Sequence, residues 1–216
     1  MSQNLSASTL EHFPFIVRKM GLCDYQSTWL AMKDFTHNRT EQTCDEIWLL
    51  QHSAIFTQGI AGKPEHLLMH NHGINLIKTD RGGQITYHGP GQIIAYLLLD
   101  IRRLKLGVRG LVRCMENAVI DLLRDYHVKA TGRIEAPGVY VDHAKIASLG
   151  LKIKKNFCYH GIALNVNMDL TPFSYINPCG YQGLRVTQIK DLGITDSIEI
   201  LSDRLAQKLQ EKLFKG

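Results

Sequence analysis

The chain has 216 residues, enough for one full hydrophobic core, and its 44% apolar and 21% charged composition is that of a folded protein rather than a disordered tail. A net charge of +5 spread over short clusters argues against a dedicated nucleic-acid binder, which needs a continuous basic stripe. The longest apolar run, residues 93–99, falls far short of the roughly 20 residues of a membrane span, and residues 1–8 lack the basic start and apolar core of an export signal. A cytoplasmic protein without membrane association is expected.

In chain order, residues 24–35 read as an early helix and 46–51 as a strand. His66, His70 and His72 share metal-like spacing, but no acidic residue lies between the first two and the run ends in a turn signature, so no metal is expected there. Residues 74–78 and 92–99 have strand composition and flank a glycine-rich segment, placing its glycines at a bend between buried strands. Residues 109–126 form an amphipathic helix, on whose apolar face Cys114 joins Leu111, Met115, Ala118, Val119 and Leu122. Strands follow at 139–141, 145–153 and 158–166, the last two joined by the polar turn Lys154-Lys155-Asn156 as an antiparallel hairpin. A helix over about 197–214 closes the chain, with the stripe Ile198, Leu201, Leu205, Leu209 and Leu213, and with Asp196 and Glu199 spaced as cap and reciprocal acid. Strands with a few interspersed helices predict an α+β fold, a mixed or antiparallel sheet with helices packed against it. No repeat or linker divides the chain, so residues 1–216 are expected to form a single domain.

Two constellations carry the chemistry. The first is residues 81–92, Arg-Gly-Gly-Gln-Ile-Thr-Tyr-His-Gly-Pro-Gly-Gln, in which four glycines permit positive φ and let a ligand approach the main chain. The competing reading is a glycine-rich hairpin with no ligand. The second is Asn177-Pro178-Cys179-Gly180, a thiol between a stiffening proline and an uncrowding glycine, the setting of a nucleophile. A working thiol needs a neighbouring cation to lower its pKa, and Lys145 is a candidate, opening an apolar strand that ends in the small residues Ser148-Leu149-Gly150. Each has a plain alternative, a cysteine in a turn and a lysine at a strand end, and spacing alone does not join them. The five cysteines are odd in number and form no C-x-x-C pair, which points to free thiols rather than disulfides or zinc. Basic clusters at Arg102, Arg103, Lys105, Arg109 and Arg113, and at Lys152, Lys154 and Lys155, either steer an acidic partner or are solvated faces.

Residues 81–92, the segment 145–150, the run His160-Gly161-Ile162-Ala163-Leu164-Asn165-Val166 and Asn177-Pro178-Cys179-Gly180 together closely resemble the lipoyl(octanoyl) transferases of lipoate biosynthesis, with the four motifs in that family's order across residues 24–189. The resemblance implies the fold of the biotin and lipoate ligase catalytic domain. It also implies transfer of an octanoyl group from octanoyl-acyl carrier protein to a specific lysine of lipoyl domains, those of 2-oxoacid dehydrogenase complexes and the glycine cleavage H protein. Carried over by position, the nucleophile is Cys179 and the lysine that lowers its pKa is Lys145. The substrate-lining segments are Arg81, Gly82, Gly83, Gln84, Ile85, Thr86, Tyr87 and His88, then Ser148, Leu149 and Gly150, then Gly161, Ile162 and Ala163. The reaction implied exchanges one thioester for another before making an amide, so no cofactor is expected. Backbone N–H groups beside 148–150 or near Cys179 are expected to hold the oxyanion. The rivals are an ATP-dependent lipoate or biotin ligase of the same fold, and a non-catalytic binder of acyl carrier protein or lipoyl domains.

Overall fold

The apolar run at residues 93–99 becomes the centre of a sheet and is buried on both faces. A computed structural model describes residues 15–69, 73–177 and 183–214. In chain order the elements are β1 (Phe15–Cys23), α1 (Tyr25–Asn38), β2 (Asp45–His52), β3 (Ile55–Gln58), β4 (Leu76–Lys78), β5 (Ile85–His88), β6 (Gln92–Asp100), α2 (Val108–Arg124), β7 (Thr131–Gly132), β8 (Gly138–Val141), β9 (Ala144–Lys154), β10 (Phe157–Asn165) and α3 (Ile198–Phe214). Seven strands form one sheet in the order β1-β2-β6-β10-β9-β8-β7, and β4-β3-β5 form a smaller one. The β1–β2 and β3–β4 pairs are parallel and the other pairs antiparallel, so the α+β class with mixed sheets is the observed one.

Strand alternation divides the large sheet between two cores. Ile47 and Leu49 of β2, with Ile93, Ala95, Leu97 and Leu99 of β6, pack under α2 and α3. Trp48, Leu50, Ile94, Tyr96 and Leu98 point to the other face, where Met32 of α1 joins them. The small sheet builds a third cluster from Phe56, Ile85 and Tyr87 with Phe173 and Ile176. No helix among the described residues is long and apolar enough to cross a membrane.

Local signals place the helices. Asp24 caps α1 by accepting the Ser27 N–H at 2.9 Å. On α2 the expected stripe is buried, while Cys114 is half-buried and its thiol reaches the Lys212 carbonyl of α3 at 3.5 Å. The expected hairpin is β9–β10, closed by Lys155 and Asn156 at φ +49° and +69°, the paired left-handed conformation of a type I′ turn.

Three expectations are corrected. Residues 81–92 are not a single bend: two turns enclose the buried strand β5, because Ile85 and Tyr87 are apolar enough to enter the third core. The strand before them, β4, is a mostly exposed edge rather than a buried strand. At α3 the cap is Ser197, whose Oγ accepts the Ile200 N–H at 3.4 Å, since the Asp196 carboxylate is taken by the Tyr126 hydroxyl at 2.5 Å.

Candidate active site

Small residues in register open a trough in the sheet beneath α1. Tyr96, Gly161 and Gly150 pair across β6, β10 and β9, and Ile94, Ala163 and Ser148 form the next row. With nothing larger than a hydroxymethyl at Ser148, Gly150, Gly161 and Ala163, the floor is low between its taller neighbours. Tyr25 of α1, the turn at Arg81, Gly83 and Gln84, and Ile85, Thr86 and His88 of β5 roof it, leaving a narrow cavity of about 50 Å³. Leu149 and Ile162 complete the lining. Gly82 lines an adjoining cleft that shares Gly83, Gln84, Leu149 and Gly150 with the trough.

Tyr87, expected in the lining, points instead into the third core, its ring 5.5 Å from those of Phe56 and Phe173, on the strand face opposite Thr86 and His88. Conversely, Tyr25, Ile94, Tyr96 and His160 line the cavity and were not singled out. Only the folded register brings them there, although His160 stands in a motif already recognised.

The roof is held by a buried guanidinium. Arg81 donates to the Thr57 carbonyl at 2.6 Å, the Thr57 hydroxyl at 2.8 Å, and the carbonyls of Gln84 and Gly82 at 2.9 Å. These bonds fix a turn that Gly83 makes at φ +87°. The histidines around the cavity are kept neutral: burial pushes His52 down to about 4 and, with the nearby His52, holds His88 well below its ordinary range. His52 Nδ1 donates to the Cys23 carbonyl at 3.0 Å, leaving Nε2 to accept from the Tyr96 hydroxyl at 2.8 Å.

A family model, the lipoyl protein ligase A/B catalytic domain, matches residues 24–210. The chain belongs to that family. Among its relatives, an octanoyltransferase of Nitrosospira multiformis is 68% identical over 91% of each chain. Another, of Nitrosomonas europaea, is 65% identical over 93% of this chain and 98% of its own. A lipoate protein ligase of Thermoplasma acidophilum, one part of a bipartite enzyme, superposes with a TM-score of 0.75 at 18% identity over 94% of this chain and 84% of that one, a likeness of fold.

Within this lipoyl protein ligase A/B scaffold, a bulge sets the position of Lys145. Tyr140 pairs with Lys145 and Val139 with Ala147, so Ile146 is an extra residue on β9. Ile146 and Ala147 therefore both enter the α2–α3 core, and Lys145 shares the trough face with Ser148 and Gly150. Its side chain is only 2% exposed and runs over Gly138, the register partner of Ser148. A Cβ at Gly138 would overlap Lys145 Cε and stand 3.0 Å from Nζ. The amine lies 5.4 Å from the Tyr140 ring centre. The main chain of Lys145 is fixed by the Arg185 carbonyl at 2.8 Å and the Thr187 N–H at 3.0 Å.

Cys179, with Pro178 and Gly180, lies outside the described residues, as do His70 and His72. His66 Nδ1 meets Gln84 Oε1 at 2.8 Å, and the described residues hold no group of three metal-ligating side chains. Cys158 is pushed up to about 12 by burial, and burial likewise raises Cys23 and Cys114, so none of these three thiols is primed as a thiolate.

Proposed function

We propose that this chain is an octanoyltransferase acting through Cys179, with Lys145 as its acid–base partner and residues 1–216 working as one catalytic unit. The reading is carried by the buried Lys145 amine, on the same strand as the small residues Ser148 and Gly150 that floor the trough, in a chain 68% identical to an octanoyltransferase. A narrow, mostly apolar trough suits a straight acyl chain, and a buried amine on the neighbouring part of β9 suits the generation of a thiolate.

In the first half-reaction the Cys179 thiolate attacks the carbonyl carbon of octanoyl-acyl carrier protein. The carbon–sulfur bond to the carrier breaks, the carrier thiolate takes a proton, and an octanoyl-cysteine thioester remains. In the second, a lipoyl-domain lysine that has lost its ammonium proton attacks the same carbon, forming the amide and returning the Cys179 thiolate. Lys145 shuttles protons between these groups. Backbone N–H groups near Ser148 to Gly150 or Cys179 bind the oxyanion. Arg81, Gly82, Gly83, Gln84, Ile85, Thr86, His88, Ser148, Leu149, Gly150, Gly161, Ile162 and Ala163 shape the path of the chain and its mouth, and Tyr87 supports β5 from behind. The work is cytoplasmic, where both carrier and acceptor domains are made.

Intact-protein mass analysis after mixing with octanoyl-acyl carrier protein tests this. One octanoyl group is expected on the wild type and none on Cys179→Ser. Amide formation from free octanoate and ATP, without a carrier, would instead identify a ligase, and an unmodified lipoyl domain in the presence of octanoyl carrier would identify a binder.

A further inference from the structure

Beside the trough, and joined to it along Gly83, Gln84, Leu149 and Gly150, lies a larger cleft of about 630 Å³. It exists because β8 is short. The β8–β9 ladder begins at Gly138 with Ser148, so β9 runs on through Leu149 and Leu151 with β10 on one side and, among the described residues, no strand on the other. The turn before β5 covers part of that edge, where Gly82 donates its N–H to the Leu151 carbonyl at 2.8 Å. Main-chain groups two residues apart on a strand point the same way, so the Leu149 carbonyl also faces away from β10, on the side of the cleft that Leu149 lines. Val108, Val112 and Met115 of α2 supply an apolar wall, and residues 135–137 with Lys63 and His66 complete the lining.

Two contacts tie this cleft to the proposed chemistry. Pro137 of its lining leads directly into Gly138, over which the Lys145 side chain runs. His66, also in the lining, accepts the Asn177 N–H on its carbonyl at 2.8 Å. A thioester-bound acyl chain continues beyond its sulfur, so cargo in the trough requires a joined space for the arm that carries it. The arm of an acyl carrier protein is phosphopantetheine, an extended chain with two amides, a dimethyl-substituted carbon and a terminal phosphodiester. An open strand edge pairs with amides as it would with a neighbouring strand. The α2 valines suit the methyl groups, and the Lys63 ammonium suits the phosphodiester. Lys63 is exposed and only loosely paired with Glu65, at 3.8 Å, a contact that a phosphate displaces at little cost. The lengths agree as well. From sulfur to phosphorus the arm has about thirteen bonds of about 1.5 Å, about 16 Å when extended; Ala61 donates its N–H to the Gly83 carbonyl at 3.1 Å, and two further residues with a lysine stem keep the ammonium within about 16 Å of Gly83.

We propose that this cleft binds the phosphopantetheine arm of the acyl donor, with the Leu149 carbonyl accepting an arm amide N–H and Lys63 facing the phosphodiester. This rests on the octanoyl-transfer reading. The test compares octanoyl-pantetheine with S-octanoyl-N-acetylcysteamine, which keeps the same kind of leaving thiol and cuts the arm after its first amide. The wild type is expected to favour the full arm in kcat/KM by at least about tenfold, since contacts to remote parts of a substrate are spent on the reacting centre. In Val112→Trp, where an indole fills the cleft, that ratio falls toward one. Adding the phosphate, as octanoyl-4′-phosphopantetheine, is expected to gain about threefold more in the wild type and nothing in Lys63→Gln, the range of an exposed ion pair. Equal kcat/KM for the full and cut arms in the wild type, or a ratio unmoved in folded Val112→Trp, overturns the proposal, and the wild-type ratio decides even if the variant does not fold. Calorimetric binding of 4′-phosphopantetheine, at least about tenfold weaker in Val112→Trp, reads the cleft without turnover. A chain that takes octanoyl from neither thioester therefore loses the octanoyl reading while the cleft is still decided. Binding of an apo lipoyl domain that Val112→Trp weakens, with phosphopantetheine binding unmoved, would give the cleft to the acceptor and overturn the proposal.

Discussion

At the scale of single residues, two side chains decide whether the proposed chemistry is available. Lys145→Ala removes the buried amine, and alkylation of Cys179 by iodoacetamide is expected to require about one to two pH units more to reach the same rate, toward the ordinary thiol value of about 8.5. An unchanged alkylation profile would remove Lys145 from thiolate formation. Gly138→Ala tests the same arrangement indirectly. The added methyl overlaps Lys145 Cε and the Ala147 carbonyl oxygen, and φ +152° is a conformation that a side chain resists, so both the amine and the β8–β9 main chain are displaced without the amine being deleted. A misplacement of about 1 Å costs on the order of 100-fold in rate. Transfer should fall by that much while circular dichroism keeps the native signal; wild-type kcat/KM in a folded variant would contradict the packing described. The sequence alone marked Lys145 as a charge opening an apolar strand. It did not reveal that Gly138 makes room for it, because that contact exists only through the β8–β9 register and the Ile146 bulge.

At the scale of elements, legibility followed burial. The helices and the β9–β10 hairpin announce themselves by caps, stripes and a polar turn, whereas β1 escapes notice because it is an edge strand with most residues exposed and a glycine inside it. β5 is hidden for the opposite reason: its four residues sit within a glycine-rich motif that reads as loop. The joint between α1 and the large sheet was also invisible, since its charges are scattered in sequence. Arg39, directly after α1, donates to the Leu98 carbonyl at 2.7 Å and pairs with Asp45, whose carboxylate also accepts the Asp100 N–H at 2.8 Å. Arg39 and Asp45 are both buried, and Arg103 adds a second guanidinium 3.5 Å from the same oxygen. Arg39→Ala strands much of this buried charge, so it is expected to cost about 3–5 kcal/mol. Urea unfolding measures it; a loss below about 1 kcal/mol would mean that Arg103 alone suffices to neutralise Asp45.

At the scale of the whole molecule, the cavity walls make the fold sensitive to acid. His52, His88 and His160 are buried and held below the ordinary imidazole range, with burial the leading cause in each, while in the unfolded chain each titrates near 6.5. Above pH 6.5 neither state binds these protons and stability is complete. As pH falls below 6.5 the unfolded chain takes them up and the native state does not, so stability declines toward about pH 4, where His52 begins to protonate in place. Each such histidine contributes a slope of up to about 1.4 kcal/mol per pH unit, making about 4 kcal/mol per unit the ceiling for three acting together. Asp80 extends the loss further into acid, because a carboxyl held low in the native state stabilises only while it stays ionised. Unfolding midpoints in urea should therefore be level between pH 7 and 8 and drop steeply between pH 6 and 5, with proton uptake of more than one equivalent on unfolding near pH 5.5. A midpoint that stays level down to pH 5 would mean that the imidazoles lie in a wetter cavity than the packing describes.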